Sequence, residues 1–231
     1  MQKIFDCAVD TDLLTGMRLA KVALGRTELA VIPTDTVYGI AANAFSAEAV
    51  QALLDAKGRG RQSPPPVLVS GITQARALVE SFPETAVKLA ETFWPGALTM
   101  IFKAQPALDW DLGETKGTVA LRVPDHKIAL ALIEETGPLA VSSANLTGQP
   151  AATTCQQAFD YLQDSVAVYL DGGPSPKGEA STILDLTGLA DSYDEAGNHT
   201  VSGTVKVIRR GALSEAKIRS VIGDLLESSK Q

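Results

Sequence analysis

The chain has 231 residues, of which 45% are hydrophobic, 20% are charged and 5% are aromatic, and its formal net charge is −7. This composition is typical of a globular protein with an aliphatic core, and it excludes an intrinsically disordered chain. The acidic balance also argues against a protein that holds nucleic acid by general neutralisation of phosphates, although it is compatible with a local basic pocket.

The N-terminal part of the chain predicts strands and helices in alternation. Residues 1–9 are compatible with an edge strand, and from 12 to 25 apolar residues recur at helical spacing. The segment 29–33, Leu-Ala-Val-Ile-Pro, is apolar, β-branched and closed by proline, which indicates a buried strand that stops abruptly. Residues 34–36 (Thr-Asp-Thr) follow, and a helix is predicted over 47–56.

That helix ends in three cations separated by glycines, Lys-Gly-Arg-Gly-Arg at 57–61. Together with Thr34 and Thr36 at the preceding strand end, these cations can line a pocket for a small polar substrate beside a phosphate. The pattern equally allows that both threonines only cap a turn and that the cations are solvated. Neither glycine-rich phosphate motif follows a strand, so a bound nucleotide would depend on side-chain cations.

The rest of the chain continues the alternation. Further strands are predicted over 67–69, 98–102, 118–123, 138–141, 166–170, 181–186 and 205–210, and further helices over 72–79, 84–93, 128–135, 154–162 and 214–226. Two polar stretches, 109–117 and 191–199, are predicted as loops and as candidate mobile lids.

Because strands and helices intermix without a long linker, the sequence predicts one α/β domain over 1–231. Its architecture would be a mixed twisted sheet with flanking helices. The core would span about 10–215, residues 216–231 would form the terminal helix and tail, and no additional C-terminal domain is expected.

Several predicted strands end in polar residues, and strand ends are where sites collect in α/β sheets. Arg122 stands between Leu121 and Val123, so its side chain faces away from theirs; both a site residue and an outward surface arginine fit this pattern. Ser142 and Ser143 end another strand, and the Asp-Gly-Gly-Pro stretch at 171–174 is compatible with a simple turn.

Metal, redox and membrane functions find little support in the sequence. Cys7 and Cys155 are the only cysteines and form no C-x-x-C pair, so both are predicted to be reduced thiols and no protein metal ligand is predicted. No apolar run reaches the roughly 18 residues that a membrane helix needs. The N-terminus also lacks the apolar segment of a signal peptide. A cytoplasmic protein without a membrane partner is expected.

Seven motifs resemble the YrdC/TsaC family of L-threonylcarbamoyladenylate synthases, in that family's order and across about residues 10–215. They are Pro-Thr-Asp-Thr-Val-Tyr-Gly at 33–39, Lys-Gly-Arg at 57–59, Phe-Trp-Pro-Gly-Ala-Leu-Thr at 93–99, Arg-Val-Pro at 122–124, Ser-Ala-Asn at 143–145, Asp-Gly-Gly at 171–173 and Ser-Thr at 181–182. The resemblance implies a YrdC-like α/β fold with a large concave, cationic cavity.

The resemblance also implies a nucleotidyltransferase reaction, in which L-threonine, bicarbonate and ATP give threonylcarbamoyl-AMP and pyrophosphate. The product would pass to a separate transferase complex, which makes threonylcarbamoyladenosine in tRNA.

Roles for individual residues follow from the same resemblance. The catalytic cations would be Lys57 and Arg59. The L-threonine ligands would be Thr34, Arg122 and Ser181. The ATP ligands would be Lys57, Arg61, Ser143, Asn145 and Arg209. The ATP would carry Mg²⁺ with it, and the protein would supply no metal ligand.

The chain departs from the family pattern at four places. Gly60 replaces the proline after the K-x-R arginine, and Ser-Pro-Pro-Pro at 63–66 replaces a lysine-proline-leucine pattern. Ser142 stands where the family has proline before Ser-x-Asn. Arg-Arg-Gly at 209–211 replaces arginine-proline-glycine, which leaves open whether Arg209 or Arg210 contacts the nucleotide.

Two alternatives are weighed against the synthase. One is a double-stranded RNA or tRNA-binding module of the same fold, but the acidic balance and the few aromatic residues speak against high non-specific affinity and leave at most a weak RNA contact. The other is a carbamoyl-transfer relative of the hydrogenase-maturation proteins, which are much longer and carry zinc-finger and acylphosphatase modules that are absent from this sequence.

Overall fold

The computed structural model describes residues 3–193, 197 and 199–227. The strands are β1 (Ile4–Asp6), β2 (Ala30–Ile32), β3 (Gly39–Asn43), β4 (Val67–Leu68), β5 (Leu98–Lys103), β6 (Thr118–Arg122), β7 (Leu139–Ser143), β8 (Val168–Asp171), β9 (Thr182–Asp185), β10 (Ala190–Tyr193), β11 (His199–Ser202) and β12 (Lys206–Arg209). The α-helices are α1 (Asp10–Leu24), α2 (Ala47–Ala56), α3 (Ile72–Ala77), α4 (Glu84–Phe93), α5 (Lys127–Thr136), α6 (Cys155–Leu162) and α7 (Glu215–Ile222).

Ten of these strands form one mixed sheet in the order β1-β8-β2-β3-β7-β4-β6-β5-β9-β12. The pairs β1–β8, β2–β8, β4–β6 and β5–β9 are parallel, and the other neighbours are antiparallel. The predicted α/β class with a mixed sheet is therefore confirmed, and β1 lies at the edge of that sheet, as the sequence predicts.

Strand β2 shows how the sequence builds two apolar layers. Successive side chains of a strand point to opposite faces. Ala30 and Ile32 accordingly pack into a cluster with α1 and α5, whereas Val31 packs into a second cluster with α2 and α6. A third cluster joins α4 and α7 to the other half of the sheet. Helices therefore flank the sheet, as predicted.

Helix α2 positions the cationic segment 57–61. The hydroxyl of Ser46 caps the helix by accepting a hydrogen bond from Ala49 N at 3.1 Å. Lys57 is the C-terminal capping residue, and Gly58 has φ +60°, a conformation that glycine adopts without strain. The chain turns at Gly58, and Arg59 N donates to Leu54 O at 2.9 Å.

The structure differs from the predicted secondary structure in two places. Strand β3 lies in a segment for which the sequence predicts no strand. The stretch 191–199 is not simply a loop, because β10 and β11 pair there as an antiparallel two-stranded sheet. Asp191 Oδ2 accepts a hydrogen bond from Glu84 N at 2.9 Å, which places the start of this hairpin beside α4. Residues 194–196 and 198 lie outside the described residues.

Within the described ranges, no helix is both long enough and apolar enough to cross a membrane.

Gly16 offers a test of how α1 packs on the sheet. A β-carbon at this position would lie 2.8 Å from both Phe5 Cβ and Leu170 Cδ2. Glycine to alanine in an open helix stabilises a protein by roughly 0.5–1 kcal/mol. Here the added carbon overpacks the contact, so we expect Gly16→Ala to lower the free energy of unfolding by about 1–3 kcal/mol.

Urea unfolding measures this difference, with Arg18→Ala on the exposed face of the same helix as the control. The control should change stability by less than about 0.5 kcal/mol. A Gly16→Ala variant that is as stable as the wild type would contradict this packing.

Candidate active site

A cavity of about 280 Å³ lies against the large sheet. Its polar lining consists of hydroxyls and guanidinium groups. These belong to Thr34, Thr36, Tyr38, Arg59, Thr99, Thr115, Thr118, Arg122, Ser142, Ser143, Ser181 and Arg209. No aspartate or glutamate lines the cavity in the described part of the chain. The structure thus brings together six of the residues that the sequence singles out: Thr34, Arg59, Arg122, Ser143, Ser181 and Arg209.

Arg122 lies at the end of β6 with only 7% of its surface exposed, so the alternative of an outward surface arginine is wrong. Its Nε donates to Gly96 O at 2.9 Å, its Nη1 donates to Thr36 Oγ1 at 2.8 Å, and its Nη2 donates to the carboxylate of Asp35. A guanidinium carries five N–H groups. These three bonds leave two N–H groups without a partner among the described residues.

Asp35 is the counter-charge of Arg122 and is also buried. Its second oxygen accepts from Lys177 Nζ at 2.7 Å, and its first also accepts from Asp125 N at 3.0 Å. Burial alone would raise the pKa of Asp35, but the charges of Arg122 and Lys177 outweigh it and hold this pKa below its ordinary value. Asp35 therefore ties together the ends of β2 and β6 and the loop that follows β8.

Thr34 both caps a turn and lines the cavity, the two roles that the sequence leaves open. Its hydroxyl donates to Val37 O at 2.6 Å and accepts from Thr36 N at 3.2 Å, so it caps the turn after β2. The same residue lines the cavity. Capping fixes the hydroxyl at the cavity wall.

Ser181, which immediately precedes β9, connects two parts of the cavity wall. Its Oγ lies 2.8 Å from Thr99 Oγ1, and its backbone oxygen accepts from Arg209 Nη2 at 2.8 Å. Arg209 lines the cavity, whereas Arg210 is largely exposed and pairs with Glu215. Between these two arginines, the structure therefore places Arg209 at the cavity.

Two of the predicted nucleotide ligands lie behind the cavity wall. Lys57 is 2% exposed, and its Nζ donates to the backbone oxygens of Ser143 and Asn145. The Asn145 Nδ2 donates to Leu146 O and Gln149 O, both at 2.8 Å. Burial, and then the positive charge of Arg59, lowers the pKa of Lys57 to about 8. Lys57 and Asn145 brace the loop after β7, and their predicted contacts with ATP stay predictions.

Arg61 lies outside the cavity lining. Its Nη2 donates to both carboxylate oxygens of Asp111, at 2.7 Å to Oδ1 and 2.8 Å to Oδ2, and both side chains of this ion pair are 44% exposed. Its backbone oxygen accepts from Glu114 N at 2.8 Å. Arg61 therefore fastens the loop 109–117, whose Leu112 and Thr115 line the cavity, to the segment that carries Arg59.

Tyr38 is a supporting residue that the sequence analysis did not single out. It is fully buried, and its hydroxyl donates to Gly173 O at 2.6 Å and accepts from Gly172 N at 3.1 Å. Gly173 has φ +81°, which glycine tolerates without strain. The Asp-Gly-Gly stretch is thus a turn, and Tyr38 holds it beside the cavity.

The two cysteines are free and lie outside the cavity lining. Burial raises the pKa of Cys7 to about 11 and that of Cys155 to about 12. Both are therefore thiols at neutral pH, and neither is activated as a nucleophile.

The buried pair at the cavity floor leads to a stability prediction. Asp35→Asn removes the counter-charge of Arg122 while it preserves the shape of the side chain. We expect the free energy of unfolding to fall by about 3–5 kcal/mol, because a buried guanidinium is left without a carboxylate.

Asp111→Asn, which breaks the exposed pair with Arg61, is the matched control and should cost less than about 1 kcal/mol. Urea unfolding at neutral pH compares the two variants. Equal losses would contradict a dominant role for the buried pair.

Comparisons with known proteins are consistent with this geometry. The Sua5/YciO/YrdC family model, described as "Telomere recombination", matches residues 23–194. A putative threonylcarbamoyl-AMP synthase of Mycobacterium tuberculosis is 46% identical over 223 residues, which cover 96% of each chain. The threonylcarbamoyl-AMP synthase of Bacillus subtilis is 38% identical over 208 residues, which cover 89% of this chain and 56% of that protein.

Solved structures agree with this assignment. Sua5 of P. abyssi complexed with L-threonine superimposes with a TM-score of 0.82 at 30% identity, over 97% of this chain and 62% of that chain, so this chain spans about three fifths of Sua5. YciO of E. coli has a TM-score of 0.72 at 20% identity, over 92% and 97% of the two chains, and supports the fold alone. The resemblance seen in the motifs is thereby confirmed, and the chain belongs to the Sua5/YciO/YrdC family.

Proposed function

We propose that this protein is a threonylcarbamoyl-AMP synthase, a nucleotidyltransferase that converts L-threonine, bicarbonate and ATP into L-threonylcarbamoyl-AMP and pyrophosphate. The observation that carries the proposal is the meeting of three guanidinium groups and several hydroxyls in one cavity. Relatives that bear this enzyme name cover most of the chain, and a Sua5 structure contains L-threonine. The threonine carboxylate, bicarbonate and the ATP triphosphate are the three anionic groups of these substrates, and all three would meet positive charges in this one cavity.

The charges around the cavity favour anionic ligands. Arg122 has a carboxylate partner in Asp35, whereas the described contacts of Arg59 and Arg209 include no carboxylate. Burial, and then the nearby charge of Arg59, lowers the pKa of Arg209. We infer a cationic cavity, because an anion between these guanidinium groups would relieve their repulsion.

L-Threonine would bind at the end of the cavity nearest Arg122. The two N–H groups that Arg122 keeps after its protein contacts suit the two oxygens of a carboxylate. The hydroxyls of Thr34 and Ser181 line the same cavity and would position the amine and the hydroxyl of the substrate. A buried hydroxyl partner also favours threonine over an amino acid that lacks a side-chain hydroxyl.

ATP would lie toward the end of β7. Ser143 lines the cavity there, Arg209 lines the same cavity beside Ser181, and Lys57 and Asn145 shape the loop that follows Ser143. Direct contact with Lys57 or Asn145 requires their present hydrogen bonds to be exchanged for bonds to the nucleotide. Arg61 would reach ATP only by leaving Asp111. Mg²⁺ would arrive with the triphosphate and needs little ligation by protein.

The reaction requires no protein nucleophile. The threonine amine attacks bicarbonate, water leaves, and a carbamate forms; CO₂ would give the same carbamate. A carbamate oxygen then attacks the α-phosphorus of ATP, and pyrophosphate leaves. Arg59 and Lys57 would act by positioning and by neutralising charge that develops on these oxygens. An enclosed cavity also protects the short-lived carbamate from water.

The wider setting of the reaction belongs to the proposal as well. The chain would act in the cytoplasm as a single domain over 1–231. Its product would pass to a separate tRNA threonylcarbamoyl-transferase complex. A direct, weak contact with RNA is an outcome that a binding assay with tRNA would distinguish.

Pyrophosphate release tests the proposed function directly. Purified protein is given ATP, Mg²⁺ and bicarbonate, with L-threonine, with L-serine or with neither. We expect release that depends on both threonine and bicarbonate and that is slower with serine. Release without either substrate, or no release although threonine binds, would refute the proposed reaction for the isolated chain.

Arg122→Lys tests the threonine site. A lysine cannot reproduce the fork of two N–H groups, so the KM for threonine should rise by about tenfold or more while the KM for ATP changes much less. Arg18→Lys makes the same change at an exposed helix position and should leave both constants unchanged. An unaltered KM for threonine in Arg122→Lys would exclude the proposed carboxylate contact.

A further inference from the structure

The geometry points to Ser142 as an unassigned substrate-binding residue, whose hydroxyl accepts a hydrogen bond from Arg59 and donates one to an oxygen of bicarbonate and of the carbamate formed from it. This inference rests on the proposed function and deepens it, because it names the residues that would hold the one-carbon substrate. Ser142 acts in two ways: it contacts the substrate, and it orients the guanidinium of Arg59.

Ser142 is placed for this contact by β7. It pairs with Ile40 of β3, it is 7% exposed, and it lines the cavity. Its Oγ accepts from Arg59 Nη1 at 3.1 Å. The Ser142 hydroxyl donates no hydrogen bond to the described residues, so its proton remains available to a ligand. A hydroxyl that accepts from a cation is polarised and becomes a better donor.

Arg59 needs an anion at this place. Among the described residues, the Arg59 guanidinium donates one hydrogen bond, to Ser142 Oγ, and it forms no ion pair with a carboxylate. It is half-buried, and burial lowers its own pKa. Burial, and then the positive charge of Arg59, also lowers the pKa values of Lys57 and Arg209. A guanidinium in such a site is costly unless a ligand supplies the negative charge.

Bicarbonate is the anion that fits this position best. The proposed threonine contacts come from Arg122, Thr34 and Ser181, and the proposed triphosphate contacts begin at Ser143, the next residue of β7 after Ser142. The carbamate is the group that links the threonine nitrogen to the α-phosphorus, so it must lie between the two sets. The Arg59 N–H groups and the Ser142 O–H together offer donors for the oxygens of this planar anion.

The contact involves a position at which this chain departs from the family pattern. Ser142 stands where the family pattern has proline, and proline has neither a hydroxyl nor another side-chain donor. The Arg59–Ser142 contact is therefore a feature that the family resemblance alone does not supply.

The test measures pyrophosphate release by Ser142→Ala, Ser142→Thr and the wild type, while each of the three substrates is varied in turn. Loss of one hydrogen bond to an anion should raise the KM for bicarbonate by about tenfold in Ser142→Ala. The KM values for threonine and ATP should change by less than about twofold. Ser142→Thr keeps the hydroxyl and should restore most of the affinity for bicarbonate.

Two controls separate this role from a structural one. Ser220→Ala makes the same change on α7, outside the cavity, and should leave all three KM values unchanged. In an Arg59→Met background, Ser142→Ala should cost much less than in the wild type, because the two residues act on the same oxygens.

An unchanged KM for bicarbonate in Ser142→Ala, or an equal loss for all three substrates, would overturn the inference while the proposed function stands. Wild-type protein that shows no threonine- and bicarbonate-dependent release would instead overturn both.

Discussion

The buried pair of Asp35 and Arg122 is the interaction on which the cavity depends. Asp35 follows β2 and Arg122 ends β6, and three strands, β3, β7 and β4, separate these two in the sheet. The pair therefore joins the segment after β2 directly to the end of β6 and fixes the two relative to each other. Taking both charges out of water is costly, and the extra bonds to Gly96, Thr36 and Lys177 offset that cost.

Local neutralisation decides which cations are available to a ligand. Arg61 is neutralised by Asp111 at the surface, and Lys57 is enclosed by backbone oxygens. Arg59 and Arg209 instead line the cavity, and neither is paired with a carboxylate among the described residues. Arg59 and Arg209 therefore repel each other, and an anionic substrate would relieve this repulsion. Such an arrangement favours binding at the expense of stability.

The fold follows from the sequence wherever local patterns are strong. The residues of α4 match the predicted segment 84–93, and the strands that end at proline are found where the pattern places them. Strand β3 was missed because its sequence, Gly-Ile-Ala-Ala-Asn, has little intrinsic β preference. It is a strand because β2 and β7 pair with it on both sides, and that is a tertiary effect. The β10–β11 hairpin is mostly polar and partly exposed, so its strands carry no clear apolar alternation.

Local sequence patterns do not encode tertiary contacts, and this also limits what the sequence reveals about the site. Motifs locate the segments that meet at the cavity, but they do not fix which way a side chain points: Arg59 faces the cavity, whereas Lys57, two residues earlier, faces the loop after β7. The residues that were missed are those that hold others in place. Asp35 lies 87 positions from Arg122, Thr99 lies 82 from Ser181, and Tyr38 lies 135 from Gly173. Such pairs are created by the order of strands in the sheet, so no local spacing encodes them, and their chemistry becomes visible only when the sheet is assembled.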